Sequence, residues 1–192
     1  VSTSTADSCV VTGLTNGTAY HFKLFAKDIY GNYSSGIIPS GSPFTPATST
    51  TLGSGNDLAS ATLAPASTTA SVNAFTFQTD SGTDIITAIT LNLSNASATS
   101  KIEITNDAGN LVYGSSSYPT GASTTAITLN NSTLTANTSL TQYKIRITPK
   151  AESAFATSSM GMIYPVTASV LSWTGTNTNK LGSDIPTGTV FI

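Results

Sequence analysis

The stretch Ser139 to Pro149, read Ser-Leu-Thr-Gln-Tyr-Lys-Ile-Arg-Ile-Thr-Pro, constrains the fold most. Tyr143, Ile145 and Ile147 alternate with Gln142, Lys144, Arg146 and Thr148. Successive side chains of a strand point to opposite faces, so this period specifies one buried and one solvated face. The design recurs. Phe75 and Phe77 alternate with Thr76 and Gln78, and Ile102 and Ile104 with Lys101, Glu103 and Thr105. Ile85, Thr87, Ile89, Leu91 and Leu93 would share one face of the longest run, with Ile86, Ala88 and Thr90 on the other. No window combines helical period, caps and length, although Ala151 to Met160 has room for a short turn. The pattern predicts strands over 72–78, 84–94, 100–105, 110–113, 125–130, 140–148, 162–173 and 187–192. Strands at this spacing within residues 58–192 argue for an all-β domain. The expected architecture is an antiparallel β-sandwich, immunoglobulin-like or jelly-roll-like, with Trp173 in its core.

Residues 1–46 read as a separate unit. Cys9 to Leu14 is a short strand entering a turn at Asn16-Gly17, a pair that tolerates positive φ. Tyr20, Phe22, Leu24 and Ala26 alternate with His21, Lys23, Phe25 and Lys27. Asp28 to Asn32 forms the next turn, and Tyr33 to Ile38 begins a third strand. Pro39, Pro43 and Pro46 end it, and residues 47–57 are expected to be a Thr-, Ser- and Gly-rich linker.

Val11 to Asp28, followed by Gly31-Asn32-Tyr33-Ser34, resembles the C-terminal half of a bacterial fibronectin type III domain. In that family a Leu before the turn and a Tyr past Asn-Gly-Thr form a corner, and Leu14 and Tyr20 stand at those positions. The resemblance covers about the first 46 residues. It implies a partial half-sandwich, because only the last three strands of a seven-stranded domain are present. Such a half exposes Tyr20, Phe22 and Leu24 and leaves a sheet edge open. Residues 58–192 look like a module that follows others in tandem in large bacterial surface proteins, which implies an extracellular or cell-surface setting.

Charge narrows the partners. Only 8% of residues are charged and the net charge is −2. There is no basic field to hold nucleic acid and no polybasic segment for anionic lipid. Thr (35) and Ser (28) together make about a third of the chain, and such a composition solvates a surface without charge. No apolar run reaches the ~18 residues of a membrane-spanning helix. Val1 to Cys9 carries no signal-peptide pattern, so a secreted form would be an interior or processed piece. Asn-x-Ser/Thr sequons at Asn16, Asn32, Asn92, Asn95, Asn130, Asn131 and Asn137 follow from the Ser and Thr content.

The chemistry-bearing residues are few. The single cysteine, Cys9, permits no internal disulfide and reads as a small strand hydrophobe. The single histidine, His21, lies on a predicted wet face, so no triad can be assembled and no cofactor is implied. Zinc needs about four N or S ligands. Calcium would draw on Asp80 and Asp84, or on Asp107, but each cluster lacks a third acid and turn chemistry accounts for both. Lys23, Lys101 or Lys144 near Glu103 could contribute to an isopeptide bond, although these positions are predicted to be exposed. Tyr113, Tyr118, Tyr143, Tyr164 and Trp173 could stack on sugars or serve as core and rim.

The expectation is a non-enzymatic structural segment of an extracellular filament, sheath or stalk. It would assemble with copies of itself or with neighbouring domains through Tyr20, Phe22 and Leu24. The alternative is a carbohydrate- or ligand-binding module of a larger secreted protein.

Overall fold

A computed structural model describes residues 10–56, 58–117, 124–155 and 161–192. The chain divides into two compact units, Val1–Thr48 and Ser49–Ile192.

The second unit is an all-β sandwich. Its strands are β1 (Ser49–Ser54), β2 (Ala61–Thr62), β3 (Ala70–Thr79), β4 (Asp84–Leu93), β5 (Thr99–Asn106), β6 (Val112–Ser117), β7 (Thr124–Thr128), β8 (Leu134–Ala136), β9 (Thr141–Pro149), β10 (Pro165–Val166), β11 (Ala168–Gly175), β12 (Asn179–Gly182) and β13 (Val190–Phe191). One sheet has the order β12-β1-β3-β9-β5-β6. The facing sheet is β11-β4-β7, with β8 also on β4, and a small third sheet is β10-β13-β2. Pairing is antiparallel except for β1 with β12 and β13 with β2, which are parallel. The expected antiparallel sandwich thus carries two parallel pairings at its margins. Strands far apart in sequence lie side by side at its edge.

The period-2 pattern of Ser139 to Pro149 becomes β9. Tyr143, Ile145 and Ile147 are buried, opposite Phe75, Asn73 and Ala70 of β3. Ile104 and Ile102 of β5 lie beside Ile145 and Ile147 on its other flank. Phe77 meets Trp173 of the facing sheet at 5.2 Å between ring centroids, so one apolar cluster joins the two sheets.

Residues 47–57 are not a linker throughout, because Ser49–Ser54 forms β1 between β3 and β12. Ser49, Thr50 and Leu52 are buried there. Composition marked the stretch as flexible, but Thr fits a pleated, half-buried surface well. The proposed single face of β4 also breaks. Ile86, Ile89, Leu91 and Leu93 are buried, whereas Ile85 is exposed. Opposite β4, Thr174 pairs with Ala88 and Gly175 with Ile86, leaving Thr87 as an extra residue. Such a bulge shifts the inward phase by one residue. The run 162–173 is divided into β10 and β11, and the short turn in 151–160 is the 3-10 segment Glu152–Ala154.

On the solvent side of β9 the polar residues clasp the β5–β6 turn. Lys144 Nζ donates to Asp107 O at 2.7 Å, and Arg146 Nη1 donates to Gly109 O at 2.8 Å. At another edge the sheets approach so closely that a Cβ on Gly114 would lie 2.3 Å from Thr128 O. Backbone cannot yield there cheaply, so Gly114→Ala should cost roughly 1–3 kcal/mol as an overpacking substitution. A denaturant titration checks this, and an unchanged midpoint would place β6 and β7 further apart.

Candidate assembly surface

Residues 10–48 form an antiparallel hairpin held by three bridges: Tyr20 with Phe44, Leu24 with Ile37, and Lys27 with Tyr33. The turn between its arms is built by Asp28. Its Oδ1 accepts the N–H groups of Tyr30 at 2.9 Å and Asn32 at 2.8 Å. Asn32 Nδ2 donates to Oδ2 at 2.9 Å. The Asn32 side chain and then its amide hold the Asp28 carboxyl below the usual range. Gly31 supplies the positive φ, 92°, that the turn needs. At the other end the Thr15 N–H donates to the Tyr20 hydroxyl at 2.8 Å, and Gly17 N–H donates to Pro46 O at 2.9 Å.

Directly paired residues share a face of a hairpin. One face therefore carries Tyr20, Phe44, Leu24 and Ile37, together with Phe22, whose ring lies 5.8 Å from that of Phe44. Leu24 is 56% exposed and Ile37 69%. Tyr20 and Phe22 are half-buried. The opposite face is arranged differently. Phe25 lies over Gly36, where a Cβ would meet the ring at 2.7 Å. Lys23 Nζ sits 5.2 Å from the centroid of Phe25, and Lys27 Nζ 5.5 Å from that of Tyr33. Cations above the rings keep that face compatible with water. On the apolar face no cation lies over a ring among the described residues.

No residue of 10–48 is buried. The backbone groups of His21, Lys23 and Phe25 point away from the hairpin partner and make no hydrogen bond among the described residues. The predicted interface residues Tyr20, Phe22 and Leu24 thus lie together on one face beside an open strand edge. Ile37 and Phe44 belong to the same patch. The sequence reading omitted them because the return arm, broken by three prolines, shows no clean alternation.

The other candidate residues are placed in the second unit. Asp80 accepts from the Ser49 N–H at 3.1 Å and from its hydroxyl. Asp84 is fully buried, and its two oxygens accept from the Thr50 and Thr176 hydroxyls, at 2.7 and 3.0 Å, and from the Asn177 N–H at 3.1 Å. Asp107 accepts from Gln142 Nε2 at 2.6 Å and pairs with Lys144 at 3.1 Å. These two partners, the Gln142 bond first, depress its carboxyl pKa. The three carboxylates thus serve protein donors in three separate places. Among the described residues no three His, Cys, Asp or Glu cluster to hold a metal ion. Glu103 is buried between Lys101 at 2.6 Å and Arg146 at 3.5 Å as an ion pair on the outer sheet face. Tyr143 and Trp173 are core, while Tyr113 and Tyr164 are half-buried against it. Cys9 and Tyr118 lie outside the described residues.

The sequence matches no protein-family model and no curated protein. No helix among the described residues is long and apolar enough to cross a membrane.

Proposed function

We propose that this chain is a non-enzymatic structural segment of an extracellular assembly, a filament, sheath or adhesive stalk of bacterial-surface type. Strands from a neighbouring copy or domain cover the apolar face of the hairpin and pair with its open edge. The apolar face of Tyr20, Phe22, Leu24, Ile37 and Phe44, with Leu24 and Ile37 exposed, beside that edge carries the reading. Strand addition there supplies backbone hydrogen bonds and apolar burial at once. Covering the exposed parts of Leu24, Ile37 and Phe44 would contribute roughly 2–5 kcal/mol before the entropy of association. If the contact joins this face to a different surface of the next copy, the product is an open fibre, not a closed pair. The fibronectin type III resemblance of the hairpin is consistent with a sandwich half that a second set of strands completes.

The experiment is sedimentation velocity and electron microscopy of the purified chain across a concentration series, beside the double variant Leu24→Lys, Ile37→Lys. The wild type should associate into regular particles and the variant should stay monomeric. A wild type that remains monomeric at high concentration, with the face still reactive to apolar dyes, would remove the self-assembly form of the proposal. Association that survives both lysines would place the contact elsewhere.

A further inference from the structure

The sandwich brings three complementary side chains together where β3 meets the segment leading into β13. Asn73 is fully buried on β3 and Asp184 is 9% exposed. Thr187 is half-buried. The backbone N–H and the hydroxyl of Thr187 both donate to Asn73 Oδ1, each at 2.8 Å. The backbone N–H can meet only the oxygen end of the amide, which fixes the orientation of Asn73. Asn73 Nδ2 accordingly donates to Asp184 Oδ2 at 2.7 Å. Val170 N–H donates to the same Asp184 oxygen at 2.7 Å, while Asp184 Oδ1 has no hydrogen-bond partner among the described residues. The Ala74 N–H donates to Thr187 Oγ1 at 2.9 Å and holds that oxygen in place.

These roles are those of an acyl transfer. We infer that the chain forms an intramolecular ester cross-link between Asn73 and Thr187, with Asp184 as the acid that releases the amide nitrogen. A C=O bond is about 1.2 Å long, so the Thr187 hydroxyl oxygen lies within about 4 Å of the Asn73 amide carbon. The Thr187 N–H donates to Oδ1 and polarises the Asn73 carbonyl toward attack. Asp184 is within hydrogen-bonding reach of the leaving nitrogen.

The steps balance. Thr187 Oγ1 bonds to Asn73 Cγ, and its proton passes to Oδ1, with which it is already shared. Asp184 gives its proton to Nδ2, the Cγ–Nδ2 bond breaks and ammonia leaves. The proton on Oδ1 restores the Asp184 acid, and the products are an ester and one ammonia. An acid is needed in the neutral form, and burial, which raises the Asp184 pKa to about 6, favours that form. Its hydrogen-bond partners among the described residues are uncharged: Asn73 Nδ2 and the Val170 amide. The bond would tie β3 of the large sheet to the segment that ends the domain. A pull applied across those two elements would then load a covalent bond.

Mass spectrometry of the full chain tests this directly. The wild type should be lighter than its sequence by one ammonia. Trypsin cuts after Lys27, Lys101 and Lys180, so Asn73 falls in peptide 28–101 and Thr187 in peptide 181–192. The two should appear joined and should separate in mild hydroxylamine, as an ester does. Cyclisation at Asn16-Gly17 also loses ammonia, but it lies in peptide 1–23 and joins nothing. Thr187→Ser should keep the link, whereas Thr187→Val and Asp184→Asn should abolish it. A wild type of full sequence mass that yields the two peptides separately overturns the inference, whether or not the variants fold. A link that persists in Thr187→Val or Asp184→Asn overturns the assigned roles.

Discussion

Phe77→Ala should destabilise the second unit by about 3–5 kcal/mol, the range for removing a large buried aromatic. Phe77 is fully buried. Its ring lies 5.6 Å from Phe75 and 6.1 Å from Tyr143 on its own sheet side, and 5.2 Å from Trp173 across the sandwich. The residue is paired to Leu52 on one flank and Thr141 on the other. Those ladders fix the backbone on both sides, so the walls cannot close over the vacated volume and a cavity term adds to the lost transfer energy. Trp173 is the only tryptophan, and its fluorescence reports unfolding of this unit. The midpoint in urea should fall with an unchanged slope. A loss below about 1 kcal/mol would mean that the two sheets are not joined through this ring. Phe44→Ala provides the contrast. That ring is 40% exposed on the hairpin, so its loss should change the same transition by less than about 0.5 kcal/mol.

The contrast between these two phenylalanines also explains what the sequence made legible. Phe75, Phe77, Tyr143, Ile145 and Ile147 could be assigned to a core because alternation places them on one face of long strands. The same rule separated Tyr20, Phe22 and Leu24 from Lys23 and Lys27. It failed on β4, because a bulge at Thr87 changes the phase and alternation carries no mark of a bulge. It failed on Ser49–Ser54 because that strand is identified by its neighbours: β3 on one side and, in parallel, β12 on the other. Neither β12, four exposed residues, nor β8, three residues, is long enough to show a period. The cluster of Asn73, Asp184 and Thr187 was wholly illegible. More than a hundred residues separate Asn73 from the other two, and none carries a motif. Asp84 was legible only as a turn carboxylate with a weak resemblance to a calcium ligand. Its spacing from Asp80 suggested shared oxygens, but Asp80 binds Ser49 whereas Asp84 turns inward to Thr50, Thr176 and Asn177.

The second large effect concerns pH and follows from Asp184. Burial raises its carboxyl pKa from 3.8 to about 6, against the opposing pull of the hydrogen bonds from Val170 and Asn73. The folded state therefore binds this proton more tightly than the unfolded chain does. Between about pH 4 and 6 the native state holds more protons, so raising the pH through that window lowers stability. The contribution is complete below the unfolded value, and is lost once the pH exceeds the folded one. A shift of about two units corresponds to roughly 3 kcal/mol at most. The direction is opposite to that of Asp28 and Asp107, whose depressed values favour the native state as pH rises. Those two groups remain in Asp184→Asn, so the difference in slope between wild type and variant isolates the buried acid. Denaturant titrations at pH 4, 5, 6 and 7 should show the wild type losing stability relative to the variant with each step, and levelling above pH 6. Parallel curves would mean that Asp184 is ionised in the fold at all these values. The slope is the proper readout, because the substitution also removes the acid on which the Asn73–Thr187 ester depends. A change in absolute stability would combine two causes that the pH dependence separates.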